Sequence, residues 1–329
     1  MNLPSVSLFY EEPFDDRWFP YDRYPRHAAR WLLRRDPLTG HRQLVRQLRL
    51  GLKRAGIRCR FNARQHAARH PEEPIGVLGK NSLMDDWRPG NPTVFGPCML
   101  DHPKDRLILF EEFNARNYLV PSAWVRDMFA PYFGDRVVIW PIGIDLELWS
   151  DFSAEPKTLD FIVYEKFLWD RPEKVKTILA PTLDELRRRG FSVEVVHCGY
   201  YKQANYRELL RRAKRLIFLC EHETQGQAYQ QALACNVPVL AWDQGWWLDP
   251  KARRYEERPV PASSVPYFSP SCGLTFRSVT EFSRALPRFW ETTFSPRAYV
   301  AARLGLTQSA QRYYEIVQGA SEPSPSHSR

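Results

Sequence analysis

The sequence predicts an α/β protein of two domains, each built on a parallel sheet covered by helices. Three observations carry this prediction. Short apolar segments alternate with stretches of helical spacing, the order that places helices on both faces of a parallel sheet. That alternation breaks at Pro141-Ile142-Gly143-Ile144-Asp145 and then restarts. The chain has 329 residues, enough for two domains of about 150 residues each.

The first half opens with an apolar run at 6–10 that reads as a strand. After Pro37-Leu38-Thr39-Gly40, the residues Leu44, Val45, Leu48 and Leu52 recur on one face of a helix that ends near Gly56. Arg42, Arg46, Arg49 and Lys53 occupy the rest of its surface. Residues 75–78, 93–95, 107–110 and 137–140 read as further strands, with helical spacing over 123–132. In the second half strands are expected at 159–164, 193–197, 216–220 and 237–242, and helices at 173–189, 206–214 and 227–235. From Ser321 the chain is rich in serine and proline and reads as disordered. The domains are accordingly drawn as 1–146 and 147–318, followed by a tail at 319–329.

Composition excludes several classes. Hydrophobic residues at 43% and charged residues at 26% are globular values, unlike those of disordered or fibrous chains. A net charge of +9 fits an anionic partner, whether a phosphate-bearing ligand, an acidic membrane surface or nucleic acid. Helix-turn-helix, RNA-recognition and zinc-finger signatures are missing, so nucleic acid is not expected as the partner. No apolar run reaches the roughly 18 residues that a membrane span needs. The six cysteines lack any paired spacing and no secretory signal precedes the first strand, which points to a reduced, cytoplasmic setting. No metal cluster is expected.

One segment concentrates the chemistry, Glu221-His222-Glu223-Thr224-Gln225-Gly226-Gln227-Ala228-Tyr229-Gln230-Gln231-Ala232-Leu233-Ala234-Cys235-Asn236-Val237-Pro238-Val239-Leu240-Ala241. It reads as a strand end, a loop, a short helix and a second strand. Gly226 allows a close backbone turn where free N–H groups and the helix dipole favour a phosphate. Asn236 can take the left-handed conformation of a helix cap, and Pro238 prevents continuation. The result is an anion cradle at the carboxyl edge of a parallel sheet, the usual ligand side of such sheets.

This segment resembles the donor site of the group 1 (GT4-like) glycosyltransferases of the GT-B fold. Glu223, Gly226, Ala232, Pro238 and Val239 match that family's pattern in place, and Gln231 stands where it has a second glutamate. The resemblance implies two Rossmann-like domains facing a central cleft, the first on the acceptor side and the second binding the donor. It implies that Glu223 contacts the donor sugar and Gln231 the ribose, the latter by a neutral hydrogen bond about half as strong as one to a carboxylate. Lys166 and Arg171 have the spacing of the family's two cations on the donor diphosphate, with the two residue types exchanged. The N–H groups of Gln227 and Ala228 would join them. Pro141-Ile142-Gly143-Ile144-Asp145 and Pro121-Ser122 are similar to the family's interdomain elements. Gly40 resembles its acceptor-side glycine, and His102 either matches its N-domain histidine that touches the sugar, a catalytic residue beside Glu223, or is a structural or surface histidine.

The resemblance therefore implies a hexosyltransferase-like enzyme moving a sugar from a nucleotide-sugar donor to a saccharide or glycolipid acceptor, with retention. In such enzymes the donor phosphate assists departure and attack, so neither a metal, nor a cofactor, nor an acid–base carboxylate pair is required. The basic helix at 42–54 either lies against anionic lipid on the inner face of a membrane, as suits a membrane-borne acceptor, or is an ordinary solvated face. Trp246 and Trp247 either stack on a ligand or pack beneath a loop. His197 and His222 read as packing residues. Gln231 keeps a second class open, a non-catalytic or regulatory sugar-nucleotide-binding protein of the same fold.

Overall fold

The computed structural model describes residues 4–11, 19, 25, 26, 29, 40–79, 83 and 87–319. The chain forms two compact units, the first from Met1–Pro121, Phe129–Gly143 and Thr307–Arg329, the second from Ser122–Met128 and Ile144–Leu306.

The first unit holds β1 (Ser5–Glu11), β2 (Arg58–Phe61), β3 (Ile75–Gly79), β4 (Thr93–Phe95), β5 (Ala115–Val120) and β6 (Val137–Ile139), in the order β2-β1-β3-β4-β5-β6. Every pairing is parallel. Central strands of such a sheet are buried on both faces, and β3 is apolar or glycine and buried throughout. Helix Gly40–Arg54 buries Leu44, Val45, Leu48 and Leu52 against Val6, Leu8 and Val94, and leaves Arg46, Arg49, Lys53 and Arg54 exposed.

Two expectations are corrected here. Residues 107–110 form no strand: Leu107 and Ile108 are 53% and 57% exposed, and a one-turn helix, Leu109–Glu112, follows. The strand place is taken by β5, whose buried half Tyr118-Leu119-Val120 comes after polar Arg116 and Asn117, which obscure it in the sequence. Nor do residues 147–318 stay together. Helix Leu306–Gly319 returns to the first unit, because its apolar residues Ala310, Tyr313, Ile316 and Val317 find their buried partners among Trp140, Ile142 and the first sheet. Trp140 Nε1 donates to Ser309 O at 2.8 Å and its ring meets that of Tyr313. The expected tail beyond Gly319 lies outside the described residues.

The second unit holds β7 (Leu159–Lys166), β8 (Val193–His197), β9 (Ala213–Cys220), β10 (Val239–Trp242) and β11 (Gly273–Phe276), in the order β11-β10-β9-β7-β8, again all parallel. The helix expected at 173–189 is divided into Arg171–Lys174, a wide turn Val175–Leu179, and Ala180–Arg188. Pro181 explains the widening, since it has no N–H to give to the preceding turn and its ring crowds the carbonyl there. The chain steps outward from β7 to β8 and then crosses back to β9. The strand order therefore reverses between β7 and β9, where the loops leaving an α/β sheet diverge and open a crevice. Register places Lys166 opposite Cys220, so the last residues of both strands open into this crevice together.

Candidate functional site

Three carboxylates and three cations meet at the carboxyl ends of β7 and β9. Lys166, at the end of β7, donates from Nζ to Glu223 Oε1 at 2.7 Å. Desolvation alone would lower the lysine pKa, but the attraction and hydrogen bond of Glu223 outweigh it and hold the ammonium above its ordinary value. Arg171 grips Glu165 with both prongs of its guanidinium, Nε to Oε1 at 3.1 Å and Nη2 to Oε2 at 2.9 Å. His197 Nδ1, at the end of β8, lies 2.6 Å from the same Oε2, and the N–H of Phe167 reaches Oε1 at 3.1 Å. Burial pushes the Glu165 carboxyl up, yet these partners more than offset it and hold its pKa below the ordinary range. Glu221, fully buried, accepts from Lys174 Nζ at 2.9 Å and from the N–H of Leu168 at 3.1 Å.

These ties fix the loop that follows β7 onto the loop that follows β9. They frame a cavity of about 520 Å³ lined by Lys166, Leu168, Arg171, His197, Cys198 and Tyr200, among others. Glu223 is held from further sides, since its N–H donates to Ser263 O at 2.9 Å and its carbonyl accepts from Trp124 Nε1 at 2.9 Å. Residues 122–128, which carry Trp124, belong to this second unit. His222 lies stacked on Trp169 at 5.3 Å and edge-on to Trp124 at 5.9 Å. Burial, reinforced by the Lys166 charge, pushes its pKa down to about 4. His222 is thus a neutral packing residue at physiological pH. His197 is instead a partly exposed partner of Glu165 rather than a packing residue.

Gly226 starts helix Gln227–Ala234 with φ +83°, and no side chain caps that helix end. A Cβ at this glycine would lie 2.2 Å from Tyr229 Cε1, so no other residue fits without displacing a fully buried tyrosine. Tyr229 is fixed in turn, its hydroxyl accepting the Tyr267 N–H at 2.9 Å. Asn236 closes the segment at φ +62°. Gln231 is 1% exposed, and neither its Oε1 nor its Nε2 meets a hydrogen-bond partner among the described residues. Trp246 is exposed, whereas Trp247 is buried and stacks on Tyr255.

The structure thus gathers Lys166, Arg171, Glu223, Gly226, Gln227, Ala228 and Gln231 into one unit, on β7, β9 and the elements that follow them. The two remaining site candidates belong to the first unit. His102 is fully buried and caps the turn Pro103–Asp105, its Nδ1 accepting the Lys104 N–H at 3.2 Å. Gly40 begins helix Gly40–Arg54, and no atom of the described residues beyond its own turn of helix lies within 4 Å of the position of a Cβ there. Glu165, Glu221, Lys174 and Trp124 were missed by sequence reasoning. Glu165, which adjoins Lys166, and Glu221, two residues before Glu223, left a local signal; Lys174 and Trp124 left none.

No protein-family model matches the chain, and no curated protein matches it in sequence. In structure it is similar to the sucrose-phosphate synthase from Thermosynechococcus elongatus, with a TM-score of 0.56, 12% identity, and 95% of this chain matched to 98% of that one. It is also similar to a glycosyltransferase from Rickettsia africae, with a TM-score of 0.55, 10% identity, and 98% matched to 100%. A third is WaaG, a glycosyltransferase involved in lipopolysaccharide biosynthesis, at 0.52, 9% identity, and 95% matched to 100%. The fold is GT-B. In GT-B terms the charged edge described above belongs to the second of the two Rossmann-like units. Among the described residues, no helix is long and apolar enough to cross a membrane.

Proposed function

We propose that this GT-B protein is a glycosyltransferase that takes a sugar from a nucleotide-sugar donor bound at the carboxyl edge of the second sheet. The observation that carries the reading is the meeting of Lys166, Arg171 and Glu223 at the strand-order reversal, beside the uncapped helix start at Gln227 and Ala228. The acceptor is a saccharide or a lipid-linked saccharide. The arginine side chain is 52% exposed and its Glu165 partner 3%, so Arg171 is the partner free to swing. When its fork turns to a donor diphosphate, Glu165 keeps the N–H of Phe167 and His197. Charge neutrality is restored by the phosphate rather than lost.

Lys166 and the first N–H groups of the helix would take up charge on the departing diphosphate, the role a metal fills elsewhere. The donor phosphate itself guides attack on the face it leaves, giving retention. Glu223, anchored through its own backbone at both ends, orients the sugar hydroxyls. Gln231 offers the ribose a neutral amide. The exposed basic face of helix Gly40–Arg54, with Arg46, Lys53 and Arg54, provides peripheral attraction to an anionic membrane carrying the acceptor.

A thermal-shift panel of nucleotide sugars tests donor binding. A true donor at about 100 times its dissociation constant stabilises by roughly 2.7 kcal/mol, and Arg171→Ala should remove most of that shift. If no nucleotide sugar and no nucleoside diphosphate raises Tm, the reading fails. Stabilisation without any release of nucleoside diphosphate would select the non-catalytic binding protein instead, a reading that Gln231 at the ribose position favours.

A further inference from the structure

Outside the donor edge, the described residues contain one group of histidine and carboxylate side chains close enough to share a cation. It lies in the first unit, on the crossing from β2 to β3. No metal is expected from the sequence, yet His66 and His70 stand four residues apart along the short helix Arg64–Arg69 and its cap. That spacing puts both on one face, and their rings lie 4.4 Å apart. The chain then turns at Pro71 and brings two carboxylates back over them. His66 Nε2 is 2.9 Å from Glu73 Oε2, and His70 Nδ1 is 3.5 Å from Glu72 Oε1. The ligand atoms of His70, Glu72 and Glu73 all fall within 4.8 Å of one another.

The turn that carries these groups is fixed from behind. Asn91, 2% exposed, donates through its amide to the carbonyls of Ala67 at 3.3 Å, His70 at 2.7 Å and Glu73 at 3.0 Å. The backbone positions of the four side chains are therefore set by a buried anchor, while the side chains themselves reach the surface.

We propose that His66, His70, Glu72 and Glu73 bind a divalent transition-metal ion of the zinc class, which clips the crossing between β2 and β3. Two imidazoles and two carboxylates are a nitrogen and oxygen set suited to zinc and its neighbours, whereas magnesium and calcium take oxygen alone. Ligands at about 2.1 Å from one ion stand about 3.4 Å apart; the atoms of His70, Glu72 and Glu73 lie within 4.8 Å of one another, and His66 Nε2 joins them through Glu73 Oε2 at 2.9 Å. Among the described residues, the competing cation is Arg60, whose Nη1 lies 3.5 Å from Glu73 Oε2. An ion between the imidazoles displaces it from that oxygen, and Arg60 keeps its second tie, to Ser5 Oγ at 2.8 Å.

The test uses the untagged full chain after removal of metal by chelation. Titration with Co(II) should give one ion per chain, visible absorption of a nitrogen and oxygen site, and no near-ultraviolet thiolate band. Zn(II) should compete for that ion and raise Tm. His70→Ala, and separately His66→Ala, should weaken binding at least about tenfold and remove the Zn(II)-dependent rise while leaving the metal-free Tm near that of the parent. Absence of stoichiometric Co(II) binding overturns the proposal. So does a thiolate band, which would move the ion to a cysteine, or undiminished affinity in both folded variants.

Discussion

The two ends of the second sheet present cations to a hollow, about 520 Å³ at the carboxyl edge and about 390 Å³ at the amino edge. At the carboxyl edge Lys166, Arg171 and Lys174 are held by Glu223, Glu165 and Glu221. At the amino edge the cations hold up main chain. Arg215 Nη2 donates to the carbonyls of Trp290 at 2.7 Å and Thr292 at 3.1 Å, at the end of helix Val279–Glu291, and Lys157 donates to Arg211 O at 2.9 Å. Burial lowers the pKa of both. An arginine that leaves two carbonyls behind strands them without partners, so Arg215 is committed to the fold. Arg171 can leave Glu165, because that carboxylate has other donors. What separates the proposed binding edge from the structural one is therefore the partner each cation would abandon.

Four substitutions sharpen this contrast. The largest loss of stability is expected from Gly226→Ala, which combines a left-handed backbone with a Cβ driven into Tyr229. Strain at such a position costs about 1–3 kcal/mol, and the displaced tyrosine adds to it. Chemical denaturation should show this, and an unchanged midpoint would break the account of the helix start. Arg215→Met should cost about 2 kcal/mol, the scale of hydrogen bonds to a charged group, and leave donor affinity unchanged. A loss of donor affinity there would erase the distinction between the edges.

His222→Phe gives a smaller effect, visible only against pH. The histidine has a folded pKa of about 4 against an ordinary 6.5, so the unfolded chain takes up a proton that the folded one refuses. Its contribution is complete above pH 6.5 and is lost as pH falls to about 4. The phenylalanine variant should show a flatter decline of stability through that window. Smallest in stability is Arg171→Ala, at a half-exposed side chain, where a change within about 0.5 kcal/mol is expected. Its effect falls on donor affinity instead, and a large fall in Tm with intact affinity would place Arg171 with Arg215.

Much of the second unit was legible in the sequence because its signals are local. Gly226 and Asn236 mark the two ends of a helix, and both take the left-handed conformations that their places demand. The partners of the motif residues were not legible. Glu221 meets Lys174 across 47 positions and Lys166 meets Glu223 across 57, and no pattern in one stretch of chain reports on the other. Helix Leu306–Gly319 illustrates the same limit at the scale of a unit, since nothing local in its sequence told which core it would join. The strand wrongly placed at 107–110 shows apolar residues exposed at Leu107 and Ile108, where composition alone suggests burial. His66 and His70 were not singled out in the sequence at all, and the turn at Pro71 is what brings Glu73 and Glu72 to them.

The central claim is that Glu223 works on a donor sugar held at the carboxyl edge. Its most direct test is release of nucleoside diphosphate by the parent chain and by Glu223→Gln, which keeps an acceptor for Lys166 so that the ammonium is not stranded. The account predicts turnover by the parent with at least one nucleotide sugar, a loss of about 100-fold or more in the variant, and donor-induced stabilisation retained in both. Equal rates in the two proteins would contradict it.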